Sequence, residues 1–433
     1  MRGRFTRSLR GFQDLGHALA RSLRPHPRLP PLKPEGVVGI PLPDRPVLDP
    51  MGAPGPRRVL VIRLHALGDV LITLPLLAAL RRCFPSMILD VLTDTRYASV
   101  FESRLEPHRV WHVDARAPFF LRTHSRKAVA AEMRRPTLSD THDRRGDREP
   151  PFDLILDLQR SADSRWFLGA LKPPHWVAFD RFAPRSALTR YLDAAAWVGL
   201  RCRTAVFEAN LEPTLLDEAR SQLARFGHEG DGPLIALNPA GLWTTRQWPL
   251  ERYAALAHHL KRRHRARFLL LGAGQTGTRV KTLARLLPRG SINVVDMTSI
   301  PQAMALVAHC ALMISEDSGL MHMAWTQGIP VLALFGSSRW VWSRPEGPHS
   351  EGWSSDDLEC GNCLKPTCFH GDTLCLSRIE VEEVAERASA LLASHRRSMP
   401  SAPRSNKQRA DQGRPSTPRP HPTRKKVGGR STQ

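Results

Sequence analysis

The sequence predicts an α/β protein with two domains, each built on a parallel sheet wrapped by helices. Short apolar runs rich in β-branched residues alternate with amphipathic segments, and this series occurs twice, on either side of a Gly- and Pro-containing linker at 228–233. The length of 433 residues is enough for two ordinary cores. We therefore expect a first domain at 57–228 and a second at 233–394.

The first half opens with an apolar run at 59–64 that predicts a buried strand after a Gly-Pro turn. A helix follows to Arg82, and Pro75 either bends this helix or marks its true start. The half closes with a helix at 215–227, whose final glycine fits a helix stop. Further strands are predicted at 88–92, 110–113 and 153–158.

The second half repeats the alternation of strands and helices. Because ligands bind at the carboxyl ends of parallel strands, the carboxyl edges of the two sheets are expected to face a common cleft. The predicted strands are 234–238, 266–271, 292–295, 312–315 and 331–335, and the predicted helices are 250–263, 278–287, 301–309 and 319–327.

The net charge of +22 is concentrated outside these units. Residues 1–56 and 116–148 each carry +5 and residues 396–433 carry +10, which leaves +2 for the rest of the chain. Such a distribution favours an enzyme with surface-binding tails over a core that grips nucleic acid. We interpret 1–56 as a basic Pro-rich extension, 116–148 as a surface insertion and 395–433 as a disordered tail.

The chain has no run of 18 apolar residues and no secretory apolar stretch near its start, so we expect a cytoplasmic protein. Residues 10–24 have two interpretations. They form either a basic amphipathic helix on the inner membrane surface or a stretch of solvated charge.

Asp69 follows the first strand, at the sheet edge where ligands bind. Gly68 precedes it, and glycine accepts the backbone of a tight strand-to-helix turn. A carboxylate here can remove the proton of an acceptor hydroxyl during group transfer. Aspartate also caps helices, and from the local sequence both interpretations stay open.

A second polar loop, residues 315–319, lies between a strand and a helix. Its helix start offers backbone N–H groups to a diphosphate, Asp317 can meet a sugar hydroxyl, and His322 can lie over the leaving phosphate. The alternatives are capping by Asp317 or Ser318 and a histidine satisfied within the core.

Thr244, Thr245 and Arg246 form a third candidate, after the strand that ends at position 238. Hydroxyls and a guanidinium there can hold phosphate oxygens, and Arg246 can neutralise charge on the leaving group. An exposed, solvated arginine is the alternative.

Gly272-x-Gly274-x-x-Gly277, with Asp296 further on, imitates a dinucleotide fingerprint. The fingerprint normally occupies the first strand-to-helix turn of its domain, whereas this run follows the second strand. We interpret it as a tight turn near the nucleotide.

Four cysteines, Cys360, Cys363, Cys368 and Cys375, cluster at spacings that suit metal ligands. A structural zinc and free thiols that pack a loop both remain open. The other three, Cys83, Cys202 and Cys310, are interpreted as small buried side chains.

Taken in order, these motifs resemble glycosyltransferase family 9, the ADP-heptose:lipopolysaccharide heptosyltransferases, from about Arg58 to about Ala390. The resemblance rests on Arg63-Leu64-x-x-Leu67-Gly68-Asp69-Val70-Leu71 with Thr73-Leu74-Pro75, Phe152-Asp153-Leu154 with Asp157-Leu158-Gln159, Arg246-Gln247-Trp248-Pro249, Asp317-Ser318-Gly319-x-x-His322-x-Ala324, Val331-x-x-Leu334-Phe335-Gly336, and the cysteine cluster.

The resemblance implies the GT-B architecture, two facing Rossmann-like domains with the donor bound mainly to the second, and inverting transfer without a required cofactor. It implies a base at Asp69 and a donor-phosphate residue at Arg246. The nucleotide-sugar loop then falls on Asp317, Ser318, Gly319 and His322. Two departures stand out: Pro239-Ala240-Gly241 where Pro-Gly-Ala is usual, and Arg246 where lysine is common.

We therefore predict a heptosyltransferase-like enzyme with ADP-heptose as donor and an anionic envelope glycolipid as acceptor. Two other classes remain as alternatives. One is an NAD-dependent oxidoreductase that uses the glycines of 272–277, and the other is a nucleic-acid-binding protein that acts through the basic tails.

Overall fold

The computed structural model describes residues 36–40, 57–135, 151–202, 205–230, 232–274, 277–347 and 349–398. The described residues up to His395 belong to one compact unit. Among the described residues, two six-stranded sheets account for the named strands, and no helix is long and apolar enough to cross a membrane.

The first sheet has the strand order β1-β6-β5-β2-β3-β4. All its neighbours pair in parallel except β1, which runs antiparallel to β6. Its strands are β1 (Val38–Ile40), β2 (Arg58–Ile62), β3 (Ile88–Asp94), β4 (Arg109–Val113), β5 (Leu154–Asp157) and β6 (His175–Ala178).

Strand β1 lies within the stretch interpreted as an extension, where no strand is predicted. The apolar residues Val38 and Ile40 pair with Ala178 and Trp176 at the sheet edge. Most of the rest of 1–56, including the amphipathic helix considered at 10–24, lies outside the described residues, as do 399–433.

In the described part of the first half there are seven α-helices, and β2 is followed by two short ones rather than the single predicted helix. Pro75 occupies the first turn of the second, so it marks a helix start. The helices are α1 (Leu67–Ile72), α2 (Leu74–Cys83), α3 (Ala98–Glu102), α4 (Phe119–Met133), α5 (Ala162–Leu171), α6 (Ala187–Trp197) and α7 (Pro213–Arg225).

The predicted insertion at 116–148 is partly regular, because α4 occupies 15 of its residues. Strands β2 and β3 separate β4 from β5, so the chain must cross the sheet, and parallel strands are usually joined by a helical crossover. Ala130 and Met133 are buried against this sheet, and Arg126 pairs with Asp163 of α5 at 2.6 Å. Charged residues on the other faces of α4 obscure the apolar repeat that would have predicted a helix.

The second sheet has the order β12-β11-β10-β7-β8-β9, and every pair is parallel. Its strands are β7 (Leu234–Asn238), β8 (Arg267–Leu270), β9 (Ile292–Asn293), β10 (Leu312–Glu316), β11 (Val331–Leu334) and β12 (Ser350–Trp353). Its helices are α8 (Leu250–His264), α9 (Gly277–Leu286), α10 (Ile300–Ala308), α11 (Gly319–Trp325), α12 (Trp340–Ser343), α13 (Leu374–Ser377) and α14 (Val381–Ser398).

The prediction of two parallel α/β sheets is confirmed. The sheets meet where the first turns of α1 and α11 touch: a Cβ on Gly319 would lie 3.2 Å from Cδ2 of Leu67. Both helices directly follow the carboxyl ends of central strands, β2 and β10. The fold therefore brings two strand-to-helix loops, one from each sheet, to a common place.

Candidate active site

A cleft of about 700 Å³ opens where these two loops meet. Loops that follow β2, β7, β8 and β10 contribute to its walls, as expected for the carboxyl edges of parallel sheets. Most of the predicted site residues line it: Gly68, Asp69, Arg246, Gly272, Asp317, Ser318, Gly319 and His322.

Asp69 is the third residue of α1, so it is not the capping residue. The N-cap position belongs to Ala66, which makes no side-chain cap. The Asp69 carboxylate pairs with the guanidinium of Arg63, which is itself buried and also donates to the Leu158 carbonyl. The helix-cap interpretation is therefore wrong, and the carboxylate is oriented by a buried arginine.

The loop that leads to Asp69 is braced by the neighbouring strand β5. Oε1 of Gln159 accepts hydrogen bonds from the backbone N–H groups of Leu64 and His65, at 3.0 and 3.1 Å. The buried carboxylate of Asp157 accepts from the N–H of Gln159 at 3.0 Å, and burial raises the pKa of this carboxyl group. The Asp157-Leu158-Gln159 motif thus supports the loop that carries the candidate base.

Gly68 is required for a different reason from the one predicted. Its φ is not positive, so the turn itself does not demand glycine. A Cβ at this position would lie 2.7 Å from Cδ2 of His322, which is closer than real Cβ contacts. The absence of a side chain lets the imidazole lie against the first turn of α1, beside Asp69.

His322 is buried, yet one edge of its ring reaches the cleft. Its Nδ1 accepts a hydrogen bond from the indole N–H of Trp325 at 2.9 Å, and an indole nitrogen can only donate. A neutral ring in this arrangement carries its proton on Nε2, and burial lowers the pKa of His322, which favours the neutral ring. Nδ1 is therefore hydrogen-bonded within the core, and Nε2–H remains as a hydrogen-bond donor.

Arg246 is held on two sides. It pairs with Asp317 at 3.3 Å, and its guanidinium lies 3.9 Å from the centroid of the Trp243 ring. Both charged side chains are largely buried, which excludes an exposed, solvated arginine. The cleft thus receives a fixed cation whose neighbour, Asp317, comes from the loop after β10.

Thr244 and Thr245 do not support the predicted phosphate contact. Their hydroxyls donate to the carbonyls of Pro366 and Lys365 respectively, and in the described part of the chain neither residue lines the cleft. The turn at Thr244–Arg246 directs both hydroxyls toward the cysteine-containing loop and the arginine toward the cleft. Their role is to anchor the loop.

Ser318 occupies the N-cap position of α11 but makes no side-chain cap, and its hydroxyl accepts from the Asn238 amide at 2.6 Å. Asp317 is paired with Arg246. Capping by either side chain, the alternative considered from the sequence, is therefore wrong.

Several cleft residues were missed from the sequence, among them Arg190, Ser338 and Trp342. Arg190 of α6 donates to the carbonyls of Ser186 and Arg181, at 3.3 and 2.6 Å, and its charge lies close enough to Asp69 to interact with it. The Ser338 hydroxyl is buried and without a hydrogen-bond partner among the described residues, and Trp342 lies beside it on the wall. Arg190 lies within a helix, where no local pattern indicates a site, whereas Ser338 lies in the polar loop between β11 and α12, and that position after a strand is the signal that could have found it.

The glycine loop forms a tight turn, with positive φ at Gly272 and Gly274. Only Gly272 of these two lines the cleft among the described residues. Asp296 accepts from the Gly274 N–H at 3.1 Å and from Lys281 at 2.8 Å. In a dinucleotide fingerprint the acidic residue binds ribose, whereas here it is bonded to its own glycine loop, so the geometry disfavours the oxidoreductase alternative.

The four clustered cysteines are free thiols that line a cavity of about 20 Å³. Burial, followed by the neighbouring cysteines, raises the pKa of Cys375 to about 11. Within the described residues no group of three or more His, Cys, Asp or Glu side chains is arranged to hold a metal ion. The structural zinc is not supported, and the thiols pack a loop against Thr245.

Comparison with known proteins shows a family match. The model of the family described as Glycosyltransferase family 9 (heptosyltransferase) matches residues 145–373, more than half of the chain. The chain belongs to glycosyltransferase family 9. This family 9 chain is 25% identical to lipopolysaccharide heptosyltransferase 1 of Pseudomonas aeruginosa over 363 residues, which cover 77% of this chain and 98% of that protein.

Two solved structures share the fold. A family 9 glycosyltransferase from Veillonella parvula superposes with a TM-score of 0.63 at 22% identity, covering 78% of this chain and 97% of that one. The Escherichia coli ADP-heptose lipopolysaccharide heptosyltransferase II gives 0.59 at 20% identity, covering 78% and 99%. The two facing sheets are therefore a GT-B fold, and this family 9 chain is a glycosyltransferase.

Proposed function

We propose that this enzyme transfers a heptosyl group from ADP-heptose to an anionic glycolipid of the lipopolysaccharide inner core or a related envelope glycan, with inversion at the anomeric carbon. One observation carries the proposal: a carboxylate from the first sheet shares a cleft with an arginine and an imidazole N–H from the second. The names of the relatives in Pseudomonas aeruginosa and Escherichia coli support this choice of donor and acceptor.

Asp69 acts as the general base. Its carboxylate takes the proton of the acceptor hydroxyl while that oxygen attacks the anomeric carbon from the face opposite the diphosphate. The bond between the anomeric carbon and the β-phosphate oxygen breaks, its electron pair stays on the phosphate, and ADP leaves. A single displacement inverts the anomeric configuration. Arg63 orients the carboxylate throughout.

Arg246 and His322 stabilise the leaving group. Negative charge builds on the β-phosphate as its bond to the sugar breaks, and fixed donors aimed at that charge lower the barrier most effectively in a partly dry cleft. The guanidinium supplies positive charge, and Nε2–H of His322 supplies a neutral hydrogen bond. With these groups in place, we propose that transfer requires no divalent cation.

Arg190 is the group that favours an anionic acceptor. It lines the cleft on the side of Asp69, and its guanidinium is anchored by two backbone carbonyls. A fixed arginine there binds carboxylate or phosphate groups near the attacking hydroxyl. With a glycolipid acceptor, the enzyme works in the cytoplasm at the inner face of the cytoplasmic membrane.

The test is a transfer assay with the full chain, a deacylated core acceptor and a panel of nucleotide sugars, in buffer that contains EDTA. We expect a product with ADP-heptose, and nuclear magnetic resonance of its new linkage should show the anomeric configuration opposite to that of the donor. Transfer from another nucleotide sugar alone would contradict the donor, retained configuration would contradict the mechanism, and loss of activity in EDTA would contradict metal independence.

A further inference from the structure

The loop of residues 239–248, here called the donor loop, is closed at its base by one buried carboxylate. Oε2 of Glu316 accepts the N–H of Gly241 at 2.6 Å, and Oε1 accepts the N–H of Trp248 at 2.7 Å. Glu316 is the last residue of β10, so its backbone is fixed by the sheet. The two ends of the donor loop therefore converge on one side chain of the adjacent strand.

Arg279 of α9 completes the closure. Its Nη2 lies 3.1 Å from Oε1 of Glu316, its Nε donates to the Pro239 carbonyl at 3.1 Å, and its Nη2 also donates to the carbonyl of Trp248. The carboxylate thus accepts hydrogen bonds from the N–H groups at the ends of the loop, and the guanidinium donates hydrogen bonds to the carbonyls there. Both oxygens of the buried carboxylate, and Nε and Nη2 of the guanidinium, therefore have partners, as a buried charge requires.

The geometry explains the unusual order Pro239-Ala240-Gly241. A Cβ on Gly241 would lie 2.8 Å from Oε2 of Glu316 and 2.3 Å from the Arg246 carbonyl oxygen. Only glycine leaves room there for the carboxylate to reach the backbone. Glycine at 241 and glutamate at 316 therefore form a matched pair.

The closure is connected to the cleft through Arg246. This residue lies within the donor loop, and its guanidinium pairs with Asp317, the residue that follows Glu316. Residue 316 therefore fixes the base of the loop, and residue 317 fixes its charged side chain. Glu316 itself is fully buried and does not line the cleft among the described residues.

We propose that Glu316, together with Arg279, is a positioning residue that holds Arg246 where the diphosphate of the donor binds. This inference rests on the proposed function. It assigns Glu316 no contact with the substrate. A change at Glu316 should therefore weaken donor binding and donor turnover through Arg246 while the acceptor side of the cleft stays unchanged.

The first test is Glu316→Gln. An amide keeps the shape but accepts hydrogen bonds at only one of its two terminal atoms, so one loop N–H loses its acceptor and Arg279 loses its anionic partner. We expect the dissociation constant for ADP, measured by calorimetry, to rise about tenfold and kcat/KM for the donor to fall by about tenfold or more. KM for the acceptor should stay within about twofold of wild type.

Three further variants separate positioning from a general loss of stability. Glu380→Gln removes the Arg252–Glu380 pair of the same half, 3.2 Å long, whose carboxylate is exposed, and should leave the ADP affinity and the kinetic constants unchanged. Arg279→Lys keeps the charge but cannot serve two carbonyls and a carboxylate together, so it should show a weaker form of the same split. It also provides the test if Glu316→Gln does not fold. Arg246→Ala combined with Glu316→Gln should be no worse for donor kcat/KM than Arg246→Ala alone.

Folded Glu316→Gln and Arg279→Lys proteins with wild-type affinity for ADP and wild-type donor kcat/KM would overturn the inference, as would fully additive losses in the double variant. If the wild-type chain itself bound no ADP and transferred no sugar, the proposed function would fail, and this inference with it. If the wild type bound ADP tightly and the variants bound it equally tightly, the inference alone would be overturned.

Discussion

The two sides of the cleft hold their charged groups in different ways. On the side of the first sheet, Asp69 has one side-chain partner among the described residues, Arg63, and 42% of its side chain stays exposed. On the second side, Arg246 and Asp317 are only 22% and 11% exposed, and the loop that carries the arginine is closed through its backbone by Glu316 and Arg279.

This difference matches the two tasks. A base must reach a hydroxyl whose position depends on the acceptor, so an exposed carboxylate with one orienting partner suffices. A cation that stabilises a developing charge acts best when it is fixed beforehand, because reorganisation then costs little. Substitutions on the donor side should therefore weaken donor binding as well as turnover. Substitutions on the acceptor side should lower turnover and leave donor binding unchanged.

The largest effect on the donor side is expected for Arg246→Ala. Loss of a fixed donor to developing charge should lower donor kcat/KM by about 100- to 1000-fold, and the dissociation constant for ADP should rise in parallel. Steady-state kinetics and calorimetry measure the two quantities. Arg185→Ala, which removes an exposed pair with Asp193, is the matched control. Unchanged ADP affinity would place Arg246 away from the diphosphate.

A smaller effect is expected where the two sides touch. In Gly68→Ala the added methyl group must displace the His322 ring or the first turn of α1, since its carbon would lie 2.7 Å from Cδ2. A misplacement of this size should lower kcat by up to about 100-fold with a folded protein, as circular dichroism would verify. Wild-type kcat would show that the contact between the two sides does not matter for the reaction.

A still smaller effect is expected for Trp325→Phe, which keeps a ring beside His322 and removes only the N–H that fixes its tautomer. We expect a loss of about fivefold in kcat, typical of one neutral hydrogen bond. Because Nδ1 becomes free to accept a proton, the pKa of His322 should rise, and the acidic limb of the pH profile should move to higher pH. An unmoved profile would contradict the assigned tautomer.

The final prediction concerns stability rather than turnover. Burial raises the pKa of the Glu316 carboxyl from 4.5 to about 7, although Arg279 and the backbone donors lower it, and Tyr253 is a further titratable group that interacts with it. Between these pH values the native state binds more protons than the unfolded state, so the free energy of unfolding should fall as pH rises from 4.5 to 7.

Urea unfolding across this pH range measures the effect. The decline should be smaller in Glu316→Gln, which has no carboxyl group to titrate at this position. An identical decline in both proteins would assign the pH dependence to other groups.

Much of the fold could be predicted from the sequence, because apolar runs and loop residues carry the strand-to-helix alternation. The edge strand β1 and the crossover helix α4 could not. The first is a three-residue run in a Pro-rich stretch, and the second spreads its apolar positions among many charges. The residues that follow a strand and line the cleft, such as Asp69 and Asp317, were predictable from that place alone.

The supporting residues were harder to predict. Arg190 lies within a helix, away from the strand ends that indicate a site, and Glu316 acts through partners that are distant in sequence. Thr244 and Thr245 show the opposite error: polar residues at the right place in the chain direct their hydroxyls away from the cleft. Local residue type indicates which loop lines a site, whereas side-chain direction depends on tertiary contacts.

The central claim is that Asp69 is the base and that the donor binds on the other side. Asp69→Asn tests it most directly when kcat and ADP affinity are measured on the same preparation, with Asp193→Asn as the control from an exposed pair. We expect kcat to fall at least about 100-fold and the dissociation constant for ADP to stay within about twofold. Turnover within about threefold of wild type would contradict the claim.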